Sequence, residues 1–144
     1  MSGGDEFGPE ATTDVDDAPA FPVRQGRIVV ADDDHDARTL LAAVLRRDGW
    51  EVLEMRNGWE VLSSVVESES APDLIISDVQ MPGVTGVGLL EGLREAGCDV
   101  PVLLVTAVEA ERVREEVAPF ARCKVFEKPF DLESLRDAVH DSVV

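Results

Sequence analysis

Four short apolar runs in this chain each end at a residue suited to handling a phosphoryl group: Asp32-Asp33 after residues 28–31, Asp78 after 74–77, Thr106 after 102–105, and Lys128-Pro129 after Val125-Phe126. Three carboxylates meeting in one cleft need a cation. With one side open to solvent they suit a hard divalent ion such as Mg2+, which keeps several waters and completes its shell with phosphate oxygens. Lys128 brings a positive charge and Thr106 a hydroxyl donor to the same rim, which is what a phosphoryl group in transfer requires as charge spreads over its oxygens. Asp78 stands alone at its strand end and is the expected nucleophile, whereas the adjacent pair Asp32 and Asp33 is better suited to holding metal. The product would be an acyl phosphate on Asp78.

For these residues to meet, the runs must be neighbouring strands of an open parallel sheet, where ligands bind outside the carboxyl ends. From Arg27 onward, β-rich runs alternate with helical periods in the manner of βαβ units. The pattern predicts strands at 27–31, 50–54, 73–77, 101–105 and 124–127. It predicts helices at 36–48, 58–68, 86–96, 109–119 and 132–143. The first, third and fourth strands are continuously apolar, as strands covered on both faces are. In the last helix Leu132, Leu135, Val139 and Val143 recur at three- and four-residue steps with Asp131 placed to cap it, and in the first Leu40, Leu41, Val44 and Leu45 form the equivalent stripe. Asp48-Gly49 supplies a stop.

The stretch Ile28-Val29-Val30-Ala31-Asp32-Asp33-Asp34, with Leu74-Ile75-Ile76-Ser77-Asp78-Val79-Gln80-Met81-Pro82-Gly83, Thr106-Ala107 and Lys128-Pro129-Phe130, resembles the receiver domain of bacterial two-component response regulators. The resemblance covers residues 27–143. It implies a flavodoxin-like α/β fold: a doubly wound, five-stranded parallel sheet of order 2-1-3-4-5 with five helices. It further implies that Asp78 accepts phosphate from a histidine kinase or histidine phosphotransfer protein. Asp33 would ligate Mg2+ directly, Asp32 through water, and the Gln80 backbone carbonyl would join Asp78 as a further ligand. Lys128 would pair with the phosphoryl group, the Thr106 hydroxyl would move to bind it, and the Lys128-Pro129 peptide would be cis. The protein would be a signalling switch acting on a downstream protein and not an enzyme, beyond phosphorylating and dephosphorylating itself.

Some positions depart from the family pattern. Where an aromatic often stands three residues before the lysine, this chain has Val125, with Phe126 next to it expected to be core packing. Val108, two residues past Thr106, offers no polar group to orient an attacking water, which predicts slow self-dephosphorylation. Pro119 followed by Phe120-Ala121-Arg122-Cys123 replaces a glycine-containing turn, so the fourth helix is expected to end early. Asp34 and Asp36 read as a charged helix start. An EF-hand is rejected because Ala37 and Ala43 stand where its glycine and final glutamate belong. His35 and His140 read as exposed helix residues, and Trp50 and Trp59 as packing.

Two further readings compete with the switch. One is a pseudo-receiver that keeps the fold as a phosphorylation-independent interaction module. The other is an aspartyl-nucleophile phosphohydrolase of the haloacid dehalogenase type, permitted by Asp32-x-Asp34.

Composition narrows the field. Thirty acidic residues against thirteen basic ones give a net charge of −17, which repels nucleic-acid backbones and anionic lipid. Residues 1–23 hold six acids, no Lys or Arg, and three prolines, so residues 1–24 are expected to form a disordered acidic tail ahead of a receiver domain at 25–144. With no secretory start, no membrane-length apolar run and a last helix that closes the sequence, the expectation is a stand-alone cytoplasmic receiver, a monomer or weak dimer. Cys98 and Cys123 lack metal or redox spacing and read as inert thiols.

Overall fold

The structure is a computed structural model that describes residues 26–68 and 71–143, so the acidic tail expected at 1–24 lies outside the described residues. Five strands alternate with five helices: β1 (Arg27–Ala31), α1 (His35–Arg47), β2 (Glu51–Met55), α2 (Gly58–Glu67), β3 (Leu74–Asp78), α3 (Gly86–Glu95), β4 (Val102–Thr106), α4 (Ala110–Val117), β5 (Cys123–Glu127) and α5 (Leu132–Val143). All pairings are parallel and the order is β2-β1-β3-β4-β5, the doubly wound arrangement expected. Strands β2, β3 and β4 each begin one residue later than the apolar pattern suggests. Asp78 and Thr106 are thus the last residues of β3 and β4 rather than the first of the following loops.

Side-chain alternation splits the central strands between two cores. Val29, Ala31, Ile75 and Leu104 face α2, α3 and α4, where Val61, Val65, Leu89, Leu93, Val113 and Val117 close over them. Ile28, Val30, Leu74, Ile76, Leu103 and Val105 face the other way, against Ala42 and Leu45 of α1 and Leu135, Ala138 and Val139 of α5. The continuous apolar runs follow from this: strands covered on both faces need apolar residues at every position.

The helix ends obey local rules. Asp34 caps α1 by accepting from the Asp36 and Ala37 amides, which settles the role of the third acid in the Asp32-Asp33-Asp34 run. Gly49, at φ 100°, takes the left-handed position after α1, and its amide bonds the Arg46 carbonyl. Asp131 sits before α5, its carbonyl accepting from the Leu135 amide and its carboxylate from the Ser134 hydroxyl. Helix α4 does end early, at Val117. In the turn that follows, Arg122 takes φ 61° where a glycine would be at ease.

Three expectations need correction. Leu40 is 65% exposed, because the buried face of α1 runs through Arg38, Ala42 and Leu45. Leu132 is likewise largely exposed at the start of α5. Trp59 is exposed, its indole edge lying over Gly83, whereas Trp50 is buried as expected. Phe126 packs on the α1–α5 side and meets Phe130 edge to face at 6.3 Å. The cysteines are half-buried and unpaired, and burial pushes the Cys123 thiol up to about 11.

Candidate functional site

The chain leaves β1 toward β2 on one side and returns to β3 on the other, so the ends of β1 and β3 border the crevice where the winding reverses. Asp32 and Asp33 follow β1, and Asp78 closes β3. One oxygen from each of the three carboxylates lies within 4.8 Å of the others. Lys128, just past β5, reaches back so that its Nζ is 3.9 Å from both Asp32 Oδ2 and Asp78 Oδ2. The structure thus brings together four of the residues read from sequence, with the Lys128-Pro129 peptide in the cis form.

Asp32 is held on three sides. Its amide donates to the Met55 carbonyl at 3.1 Å, its Oδ1 accepts from the Asp34 amide at 2.9 Å, and its carbonyl accepts from Arg38 Nη1 at 2.9 Å. Arg38 was not legible in the sequence as part of the site. It is buried on α1, contacts Glu54 on β2 at 3.3 Å and His35 Nδ1 at 3.0 Å, and so ties the β1 end to the neighbouring strand. Burial alone would raise the Glu54 carboxyl, but hydrogen bonds from Arg46 and Arg38 outweigh it and hold the group below its usual value. The only sequence signal for Arg38 is its place one turn into α1, on the face that otherwise buries Ala42 and Leu45.

Asp78 is mostly buried, and its surroundings oppose its charge. Desolvation first, and then the Asp32 and Asp33 carboxylates, raise it above the ordinary carboxylate value, while Lys128 and the Gln80 backbone amide pull the other way. Gln80 thus enters the site through its backbone N–H. The loop after Asp78 is pinned close to the strand: the Gly86 amide donates to the Val79 carbonyl at 2.8 Å, and a Cβ on Gly86 would come within 2.6 Å of the Asp78 carbonyl oxygen.

Thr106 is fully buried, and its hydroxyl is occupied within its own loop. It donates to the Val108 carbonyl at 2.7 Å and accepts from the Val108 amide at 3.2 Å. The Thr106 carbonyl accepts from the Lys128 amide at 2.8 Å, which couples the ends of β4 and β5. Val108 itself is exposed.

The three carboxylates and the lysine thus lie at the switch point of an open parallel sheet, where doubly wound α/β proteins bind their ligands. The chain belongs to the response regulator receiver domain family, which it matches over residues 28–140. It is 29% identical over 113 residues to sporulation initiation phosphotransferase F of Bacillus subtilis (strain 168), covering 78% of this chain and 90% of that protein. It is 34% identical over 113 residues to the uncharacterized transcriptional regulatory protein YrkP of the same organism, covering 78% of this chain but 47% of that protein. Among solved structures it resembles response regulator TrrA of Thermotoga maritima, in complex with Mg(2+)-BeF, with a TM-score of 0.70 and 28% identity over 81% of this chain and 97% of that one. The protein is therefore a receiver domain of two-component signalling.

Asp34, the second acid of Asp32-x-Asp34, caps α1, and the family matched is that of receiver domains rather than the dehalogenase type.

Proposed function

We propose that residues 25–144 form a phosphorelay switch that accepts a phosphoryl group on Asp78 from a histidine kinase or histidine phosphotransfer protein and then presents a changed surface to a downstream protein. The observation that carries this reading is the three-carboxylate cluster with Lys128 Nζ 3.9 Å from both Asp32 and Asp78. Asp32 is buried and Asp78 largely so, and holding their charges together with that of the exposed Asp33 is unfavourable by itself, so the arrangement makes sense as one half of a site completed by a cation and a phosphoryl group.

The donor set fits Mg2+, since all its members are hard oxygens. Asp33 and Asp78 would hold the ion directly, Asp32 through water, and the Gln80 carbonyl would add a backbone ligand. The ion would neutralise charge on the phosphoryl oxygens. The protein's own groups do the rest. The Asp78 carboxylate is the nucleophile, and Lys128 draws the incoming oxyanion toward it.

Thr106 is the switch element in this reading. Its hydroxyl bonds Val108 in the loop after β4, and a phosphoryl oxygen on Asp78 competes for that hydroxyl. Winning it breaks the contact that holds the loop and carries the change to α4. With Val125 in place of an aromatic, the backbone of the 106–109 loop is the main carrier of the change. Among the described residues no helix is long and apolar enough to cross a membrane, and the proposed setting is the bacterial cytoplasm.

Intact-mass spectrometry tests the reading. Wild type and Asp78→Asn are incubated with a small acyl phosphate and Mg2+, with EDTA as control. A single phosphoryl adduct that needs both metal and Asp78 is the expected result. A protein that gains no adduct but still binds its partner would be a phosphorylation-independent pseudo-receiver.

A further inference from the structure

Beside the acidic cluster the cleft deepens into a cavity of about 570 Å3 between the strand ends and helices α1 and α5. Its walls are apolar: Leu41, Ile76 and Val105 within, and Leu40, Phe130 and Leu132 at the rim. Its polar lining is the phosphoryl site itself, Asp32, Asp78 and Lys128. Leu40 is 65% exposed and Leu132 40%, although both are large aliphatic residues on helices with buried faces to spare. A cavity of this size is in the range that encloses a small organic molecule, which usually has mostly apolar walls and a few polar groups that fix its orientation.

The cavity opens directly onto Asp78, so a donor with its phosphoryl group at Asp78 has space beside it for the group it leaves behind. A leaving carboxylate with an apolar body matches both parts of this space. Such a group would set its oxygen toward the Lys128 ammonium and its body against Leu40, Phe130 and Leu132, all of which line the cavity.

We propose that this cavity receives the apolar acyl group of a small acyl-phosphate donor, so that the protein takes phosphate faster from donors with a bulky apolar acyl group than from acetyl phosphate. The proposal rests on Asp78 being the phosphoacceptor. In the transfer, a carboxylate oxygen of Asp78 forms a bond to phosphorus while the bond between phosphorus and the acyl oxygen breaks. The leaving group departs as a free carboxylate with that bond's electron pair. No proton or electron is exchanged.

The test uses the full chain with Mg2+ and follows the phosphoryl adduct by intact mass, with benzoyl phosphate and acetyl phosphate as donors. The readout is the ratio of the two rates in wild type and in the Leu40→Ser, Leu132→Ser double variant, so the intrinsic reactivity of each donor cancels. The ratio is expected to fall about tenfold in the variant, equivalent to about 1.4 kcal/mol. An unchanged ratio, with acetyl phosphate still labelling Asp78, overturns the cavity assignment and leaves the phosphoacceptor reading intact. Failure of both donors to label wild type overturns both.

A second measurement needs no variant and no turnover. In methyl NMR of the wild-type protein, phenylphosphonate is expected to shift the Leu40 and Leu132 methyl signals, and methylphosphonate to leave them in place. Equal effects of the two compounds, or none, would rule the cavity out as the acyl site.

Discussion

Asp33→Asn should make the metal-free protein more stable, although it removes a residue of the proposed metal site. Oxygens of Asp32, Asp33 and Asp78 lie within 4.8 Å of one another. At that separation two unit charges repel by about 0.9 kcal/mol in bulk water and about 3.5 kcal/mol at an effective dielectric of 20. Asp33 is exposed, which places its share near the lower limit. With two neighbours, the relief on neutralising Asp33 is about 1 to 2 kcal/mol. For a domain of this size that is a rise in Tm of about 3 to 8 °C. The assay is thermal unfolding followed by circular dichroism in EDTA at low salt, repeated at high salt, where screening should shrink the difference. Adding Mg2+ should reverse the order, because an ion that binds only the folded state stabilises it in proportion to affinity, and wild type should bind it better. If Asp33→Asn melts below wild type in EDTA, the three carboxylates are not a repelling cluster and the argument for a cation at this site fails.

The raised Asp78 carboxyl predicts a pH dependence of the metal-free protein. A carboxyl raised above its ordinary 3.8 binds its proton more tightly in the folded state, so this stability is present at low pH and lost as pH rises through the raised value. Wild type should therefore lose stability relative to Asp78→Asn across that window, as read from urea midpoints at stepped pH. Arg38→Met removes the bond to the Asp32 carbonyl and the contact with Glu54, and should cost about 2 to 3 kcal/mol by urea denaturation and weaken Mg2+ binding by calorimetry. With Val108 beside Thr106 offering no group to orient water, the phosphorylated protein should persist for minutes or longer after donor removal. A half-life of seconds by timed mass spectrometry would contradict this.

The strand ends illustrate how far local pattern reaches. Asp32, Asp33 and Asp78 were legible because they end apolar runs covered on both faces, which must stop where the chain meets water at the sheet's carboxyl edge, and Lys128 because it follows Val125-Phe126 and precedes Pro129. The charged helix start at Asp34, the stop at Gly49 and the early end of α4 were legible for a similar reason, since each is decided by groups within a few residues, although the capping bonds of Asp34 itself came only with the structure. Arg38 was not, because a lone arginine on a helix looks the same whether it meets solvent or a carbonyl from another strand. Leu40, Leu132 and Trp59 failed in the opposite sense. Periodicity reports which residues share a helix face, but which part of that face is covered depends on the elements packed against it, and in α1 the buried face runs through Arg38, Ala42 and Leu45.

The sequence by itself determined the kind of fold and the chemical types at its active edge, since both follow from local alternation of apolar and polar residues. Only the tertiary structure decided the distances that turn those types into a site. It set Lys128 between two carboxylates, occupied the Thr106 hydroxyl within its own loop, buried Arg38 behind Asp32, and left an apolar cavity open beside Asp78. The Lys128 placement and the cavity join residues far apart in the chain, with a geometry set by packing around the shared sheet, while the Thr106 and Arg38 bonds span two and six residues and depend on how the loops at the strand ends are folded.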